Sequence, residues 1–183
     1  MSTPERVILL AAAALSGCAG PATTPAPSQP PALGAPVGAA ELARWDISIP
    51  PSGAGLPSGS GSVKQGEAVY AAKCLVCHGE KGAGKPADAL AGGIGSLASR
   101  TPVRTVGSYW PYATTLFDYV RRAMPITNPL SLSNDEVYAV SAYLLSLNGI
   151  VAADAVMNAQ TLPQVRMPNR DGFINDWPPR ARH

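Results

Sequence analysis

Charged residues, aromatic residues and cysteines are all scarce in this chain of 183 residues. Lysine, arginine, aspartate and glutamate make up 14% of it, and no basic cluster alternates with aromatic side chains, so nucleic-acid binding is not predicted. The three cysteines cannot form a complete disulfide framework because their number is odd. With aromatic residues at 6%, an alanine-rich domain of this size would gain stability by burying a large apolar cofactor.

The sequence also lacks an apolar run long enough to span a bilayer. The apolar run 7–15 follows a short polar start and ends in Leu15-Ser16-Gly17-Cys18, which resembles the lipobox of bacterial lipoproteins. The resemblance implies a signal peptide at residues 1–17 and a lipid on Cys18. The alternative is an ordinary secretory signal with an incidental cysteine. We expect a periplasmic protein that a lipid anchors to a bacterial membrane.

Composition divides the rest of the chain into a linker, a folded domain and a tail. Proline, alanine, glycine and serine dominate residues 18–60, so this lipid-anchored segment is predicted to be a disordered linker. Residues 41–49 are an exception, because their tryptophan and two isoleucines are suited to packing on the domain or on a partner. We expect the folded domain at residues 61–150 and an extended tail at residues 151–183.

Helical signals fill the predicted domain, so the sequence predicts an all-α fold. Apolar spacing and a capping box of Ser133 and Glu136 predict the last helix, which Asn148-Gly149 closes. Earlier helices are predicted at 63–74 and 112–122, and a Gly- and Pro-rich loop at about 79–107.

The motif Cys74-Leu75-Val76-Cys77-His78 carries the predicted chemistry. Covalent haem needs two thiols that reach the two vinyl groups on one edge of the porphyrin, and an imidazole that binds the iron from one face. Cysteines three positions apart, followed at once by histidine, meet both needs within one helical turn. The motif occurs once, so we predict one covalent haem c, with thioethers at Cys74 and Cys77 and His78 as an iron ligand.

Two other uses of a C-x-x-C pair fit this sequence less well. A zinc site needs two further cysteine or histidine ligands, and only His183 remains once Cys18 carries lipid. A thioredoxin-like dithiol is expected after a strand in a βαβ pattern, which the sequence lacks.

The second iron ligand is predicted to be a methionine, which raises the reduction potential and is usual in electron carriers. Met124 stands directly before Pro125, at the end of a predicted helix and ahead of the last one. Met157 lies in an alanine-rich stretch that is typical of core packing. Met167 also precedes a proline but follows the last helix, and it is the alternative to Met124.

These residues together resemble the class I cytochromes c. In that family the first and last helices cross through a glycine against an aromatic residue and close over the haem. Gly66 and Tyr143 match this crossing, and the resemblance covers about residues 61–150. It implies the class I cytochrome c fold. It also implies a proline carbonyl that orients the histidine ligand, for which Pro86 is the matching position.

A narrower resemblance is to the cytochrome subunits of sulfite and sulfur (sulfane) dehydrogenases. It rests on four segments, 104–115, 121–125, 135–140 and 167–170. In those systems a subunit with a molybdenum cofactor oxidises the sulfur compound. The resemblance implies such a partner for this chain, transfer of single electrons by its haem, and a downstream cytochrome or oxidase as acceptor.

Some roles stay open at this point. Arg104, Tyr109 and Trp110 are candidate contacts of the haem propionates, with core packing as the alternative for the two aromatic residues. Arg121 and Arg122 are candidates for neutralising propionates or for facing an acidic partner. Two other functions are a membrane-tethered electron shuttle between respiratory complexes and a haem enzyme that acts on thiosulfate or peroxide.

Overall fold

The structure, a computed structural model, describes residues 33–174. The chain divides into a unit of residues 1–39 and a unit of residues 40–183. The described part of the first unit, residues 33–39, is exposed throughout. Within residues 33–174 no helix is long and apolar enough to cross a membrane. The predicted signal peptide 1–17 and Cys18 lie outside the described residues.

Helices are the main secondary structure of the described residues, as the sequence predicts. The helices are α1 (Ala39–Trp45), α2 (Val63–Lys73), α3 (Leu75–His78), α4 (Ala113–Ala123) and α5 (Asn134–Leu147), and the strands are β1 (Ser60–Ser62) and β2 (Val156–Asn158). Short 3₁₀ turns lie at Glu80–Gly82, Ser96–Ala98 and Leu162–Gln164. The bounds of α2 and α4 lie within one residue of the predicted ones.

Capping boxes begin the two helices that form the centre of the fold. The hydroxyl of Ser133 accepts a hydrogen bond from the Glu136 amide at 3.3 Å, and the Glu136 carboxylate accepts one from the Ser133 amide at 2.8 Å. Ser62 and Gln65 cap α2 in the same way. Each box satisfies two amide groups that would otherwise have no partner inside the helix. The predicted cap of α5 is therefore confirmed.

Helix α2 crosses α5 at a glycine. Gly66 is buried, and a Cβ atom built on it would overlap the carbonyl oxygen of Ala139, so only glycine permits this approach. One turn later the ring of Tyr70 lies 5.2 Å from the ring of Tyr143. This is the crossing of a glycine and an aromatic residue that the family resemblance implies.

The core surrounds α5 and includes the segment after it. The rings of Phe117 on α4 and Tyr138 on α5 lie 4.5 Å apart. Strand β2 pairs antiparallel with β1, and three buried side chains follow α5, namely Met157, Leu162 and Met167. The described part of the predicted tail thus runs over the helical body and completes its core.

Residues 47–60, called the N-terminal strap below, pack on α4 and α5. The sequence predicts such packing for residues 41–49, which include the start of the strap, and disorder for the rest of it. Ile49 is 4% exposed and belongs to the core. The hydroxyl of Tyr138 donates a hydrogen bond to the Pro57 carbonyl at 2.8 Å, and a carboxylate oxygen of Asp135 accepts one from the Ser60 amide at 2.8 Å. The packed region therefore begins ahead of the predicted boundary at residue 61.

Candidate haem site

Cys74, Cys77 and His78 lie on one turn. The Cys74 carbonyl accepts hydrogen bonds from the amides of Cys77 at 3.2 Å and of His78 at 3.0 Å. Both cysteines are half-buried, and neither is in a disulfide. The two thiols and the imidazole thus come together as the motif predicts.

The imidazole of His78 has a fixed partner. Its Nδ1 atom lies 2.9 Å from the carbonyl oxygen of Asp88. Because a carbonyl oxygen can only accept, Nδ1 carries the proton and Nε2 keeps its lone pair for a metal. Such a partner orients the ring of a metal-binding histidine. The family resemblance implies the carbonyl of Pro86 as this partner. The structure instead has the carbonyl of Asp88, two residues further along the chain.

Further hydrogen bonds close the following loop onto the motif. The Gly84 amide donates to the His78 carbonyl at 2.7 Å, and the hydroxyl of Tyr70 donates to the Gly79 carbonyl at 2.7 Å. Gly79 has φ +72°, a conformation in which a residue with a side chain would be strained. The segment that bears His78 is therefore held by its near neighbours in sequence.

The Cys74 thiol sits in a less polar environment than water. Burial, followed by the neighbouring Cys77, raises the pKa of Cys74 to about 11. Both effects disfavour the thiolate form of this cysteine.

Met124 lies directly after α4. Its backbone is extended, with φ −121° and ψ 145°, because a residue before proline avoids the helical conformation. Its side chain is half-buried against the core. Met157 and Met167 differ, since they are 5% and 1% exposed and are part of the core itself. Packing thus accounts for both of them and favours Met124 as the ligand.

Arg104, Tyr109 and Trp110 precede α4 in the sequence. The Arg104 guanidinium lies 5.6 Å from the centre of the Tyr109 ring, which packs on Phe173 in the tail. Trp110 is half-buried and meets Tyr119 edge-on at 5.6 Å. Contact of these three side chains with haem propionates remains a prediction.

Arg121 and Arg122 have protein partners. The Arg122 guanidinium forms a two-pronged pair with the Asp118 carboxylate one turn earlier on α4. Arg121 donates to the Ile47 carbonyl at 3.5 Å. Arg122 thus pairs along α4 and Arg121 contacts the strap, and contact of either one with a propionate or an acidic partner remains a prediction.

The donor set fits a covalently bound haem. Two thiols share a turn with an imidazole whose Nε2 is available, and a thioether follows α4. Partly buried apolar side chains packed on the core, among them Leu90 and Trp110, could line its apolar ring. Bound haem would supply an iron that gains or loses one electron, and the chain would supply its attachment at Cys74 and Cys77 and its ligands His78 and Met124.

Comparison with known proteins agrees with this site. The family model described as cytochrome C oxidase, cbb3-type, subunit III matches residues 61–144. This match, together with the similarity to a solved cytochrome-containing structure, shows that the chain belongs to the class I c-type cytochromes, which carry covalently bound haem c and transfer electrons.

That solved structure is the sulfane dehydrogenase SoxCD from Paracoccus pantotrophus. The chain is similar to a chain in it at 43% identity and a TM-score of 0.75, over 80% of this chain and 73% of that chain. No protein with a curated description matches the sequence significantly.

Proposed function

We propose that this chain is a periplasmic cytochrome with one haem, and that it accepts single electrons from a molybdenum-cofactor subunit that oxidises sulfite or sulfane sulfur. The similarity to a chain of SoxCD carries the proposal. It covers 80% of the chain, whereas the cytochrome family model spans only residues 61–144. The likeness to the sulfane dehydrogenase therefore includes residues outside the part shared with cytochromes in general.

Each site residue has a proposed role. Cys74 and Cys77 form the thioethers, and His78 and Met124 bind the iron. The hydrogen bond from His78 Nδ1 to the Asp88 carbonyl and the half-buried position of Met124 support the two ligands. Methionine ligation raises the potential, which suits a carrier that accepts electrons from a dehydrogenase.

A lipid on Cys18 would keep the domain at a membrane. The proline-rich residues that follow Cys18 would act as a tether of about 3 Å per residue where they adopt a polyproline conformation. A tether of this kind allows one domain to meet both the dehydrogenase subunit and a downstream cytochrome or oxidase.

The test is to purify the tagged full-length chain gently from membranes of its native host and to measure molybdenum in the preparation. Sulfite or thiosulfate is then added while the absorbance of reduced haem is followed. We expect rapid reduction in the native preparation and none in the chain produced alone. Haem that dithionite reduces but that neither sulfur compound reduces in the native preparation would refute the sulfur assignment.

A second candidate function is a tethered shuttle between respiratory complexes. The match to a family model named for an oxidase subunit favours it. The same purification separates the two functions. A shuttle would come without molybdenum and would be reduced by a quinol-oxidising complex, whereas the dehydrogenase subunit would retain its molybdenum partner through a gel-filtration column.

A further inference from the structure

Asp118 is a buried carboxylate in the middle of α4. It is 6% exposed, and a charge in such a position requires partners. One oxygen accepts hydrogen bonds from the Ile49 amide at 2.9 Å and from Arg122 Nε at 3.0 Å, and the other accepts from Arg122 Nη2. One side chain thus joins the last turn of α4 to a residue 69 positions away in the sequence.

The last turn of α4 determines where the backbone of Met124 lies. The Met124 amide donates to the Val120 carbonyl at 3.0 Å, and Pro125 prevents the helix from continuing. The segment after it packs on little, because residues 126–131 are all exposed. The position of Met124 therefore depends on α4 and on whatever holds its last turn.

The strap runs along α4 from one end to the other. The Thr114 hydroxyl donates to the Pro51 carbonyl at 3.1 Å near the start of the helix, and Arg121 donates to the Ile47 carbonyl at 3.5 Å near its end. Asp118 lies between these two contacts and binds Ile49, which is itself in the core. It is the central attachment of the strap to the helix.

We infer that Asp118 is a positioning residue for the iron ligand Met124, because its carboxylate clamps the strap and Arg122 to α4. The inference rests on the proposed role of Met124. Without the carboxylate, the buried Ile49 amide and the Arg122 guanidinium lose their partner, and the strap and the last turn of α4 open more often. Met124 then leaves the iron more readily.

The test uses the full-length haem-loaded protein and the variants Asp118→Ala and Asp135→Ala. Asp135 is the matched control, since it also accepts a hydrogen bond from the strap, at the Ser60 amide, but it lies on α5. Imidazole is titrated into the ferric protein, where it must displace the methionine sulfur in order to bind. Hydrogen exchange is measured at the backbone amides of residues 47–49 and 120–124.

Asp118→Ala should bind imidazole about tenfold more tightly, as expected from the loss of roughly one charge-assisted hydrogen bond, and should exchange faster in both segments. Asp135→Ala should exchange faster only near Ser60 and keep its imidazole affinity within about twofold. Equal imidazole affinities in Asp118→Ala and wild type would overturn the inference. Equal increases in both variants would also overturn it, because they would indicate general loosening.

The proposed ligand is checked separately in the wild type. If the ferric protein lacks the charge-transfer absorption of sulfur-ligated haem, Met124 is not the ligand, and both the proposed site and this inference fail. If that absorption is present but Asp118→Ala does not weaken it or raise the imidazole affinity, the inference alone fails. Should Asp118→Ala not fold, Asp118→Asn replaces it, and an imidazole affinity equal to that of the wild type would again overturn the inference.

Discussion

The segment that bears His78 and the segment that bears Met124 are held by partners at very different distances along the chain. The His78 ring is fixed by the carbonyl of Asp88, 10 positions away, and the Gly79 carbonyl by Tyr70, 9 positions away. The helix that ends at Met124 is clamped through Asp118, whose partner Ile49 is 69 positions away.

This difference separates two stages in building the site. A short loop costs little entropy to close, so the histidine segment can take its shape with few other contacts. The contact between the strap and α4 needs a long loop to close, so it is formed only when the whole domain has folded. We therefore expect attachment of haem to depend on local structure, and ligation by Met124 to require the completed fold.

The largest effect is expected on the histidine side. His78→Ala removes the proposed iron ligand and the hydrogen bond to the Asp88 carbonyl, so we expect covalent haem to fall below about one tenth of the wild-type content. Haem staining of a denaturing gel, scaled to the amount of protein, measures this content. Normal haem content in the variant would show that the histidine segment does not direct attachment.

Met124→Ala should keep its haem but lower the reduction potential by on the order of 0.1 V, within the span of about 0.8 V that axial ligands set. Met167→Ala is the control, because Met167 is buried in the core. It should destabilise the protein by about 2–5 kcal/mol and leave the potential nearly unchanged. A redox titration measures the potential and a thermal melt the stability. A lowered potential in Met167→Ala and an unchanged potential in Met124→Ala would assign the ligand to Met167.

Asp118→Asn probes the methionine side through pH. Burial alone would raise the pKa of Asp118, but the hydrogen bonds from Arg122 and the Ile49 amide outweigh it, and the pKa lies below its ordinary value of 3.8. A group of this kind contributes stability above its unfolded pKa and loses it as the pH falls through its folded pKa.

We expect the free energy of unfolding of the wild type to be about 1–2 kcal/mol larger than that of Asp118→Asn at neutral pH. This difference should shrink as the pH falls below 3.8. Urea unfolding of the ferric protein at a series of pH values measures the difference. A difference that grows in acid would contradict the assignment of this carboxylate.

The smallest effect is expected from removing the hydroxyl group of either of two tyrosines. Tyr70→Phe loses the bond to the Gly79 carbonyl on the histidine side, and Tyr138→Phe loses the bond to the Pro57 carbonyl in the strap. Each should lower the free energy of unfolding by about 1 kcal/mol. Thermal melts of the ferric protein check this, and a loss several times larger for one of them would show which segment limits stability.

Sequence signals that act over a few positions predicted their structures well. The capping box of Ser133 and Glu136 and the end of α4 ahead of Pro125 each depend on near neighbours. The haem motif belongs to the same class, since one turn of helix brings its three side chains together.

Features set by distant contacts could not be predicted. Leu56 is an isolated apolar residue among proline, glycine and serine, so it gives no periodic signal for the part of the strap beyond Ile49. The choice of the Asp88 carbonyl over that of Pro86 depends on the path of a loop with several glycines.

One local contact was missed. Arg122 stands four positions after Asp118, so this ion pair could have been predicted from helical spacing.

The pairing of β1 with β2 has a consequence for where such a domain can be cut. Strand β1 precedes α2 and its partner β2 follows α5, with Ser60 opposite Asn158. A protein shortened to residues 61–150 would lose this pairing, and it would also lose Ile49, Leu162 and Met167 from the core. The smallest stable unit therefore extends beyond the haem-binding helices on both sides.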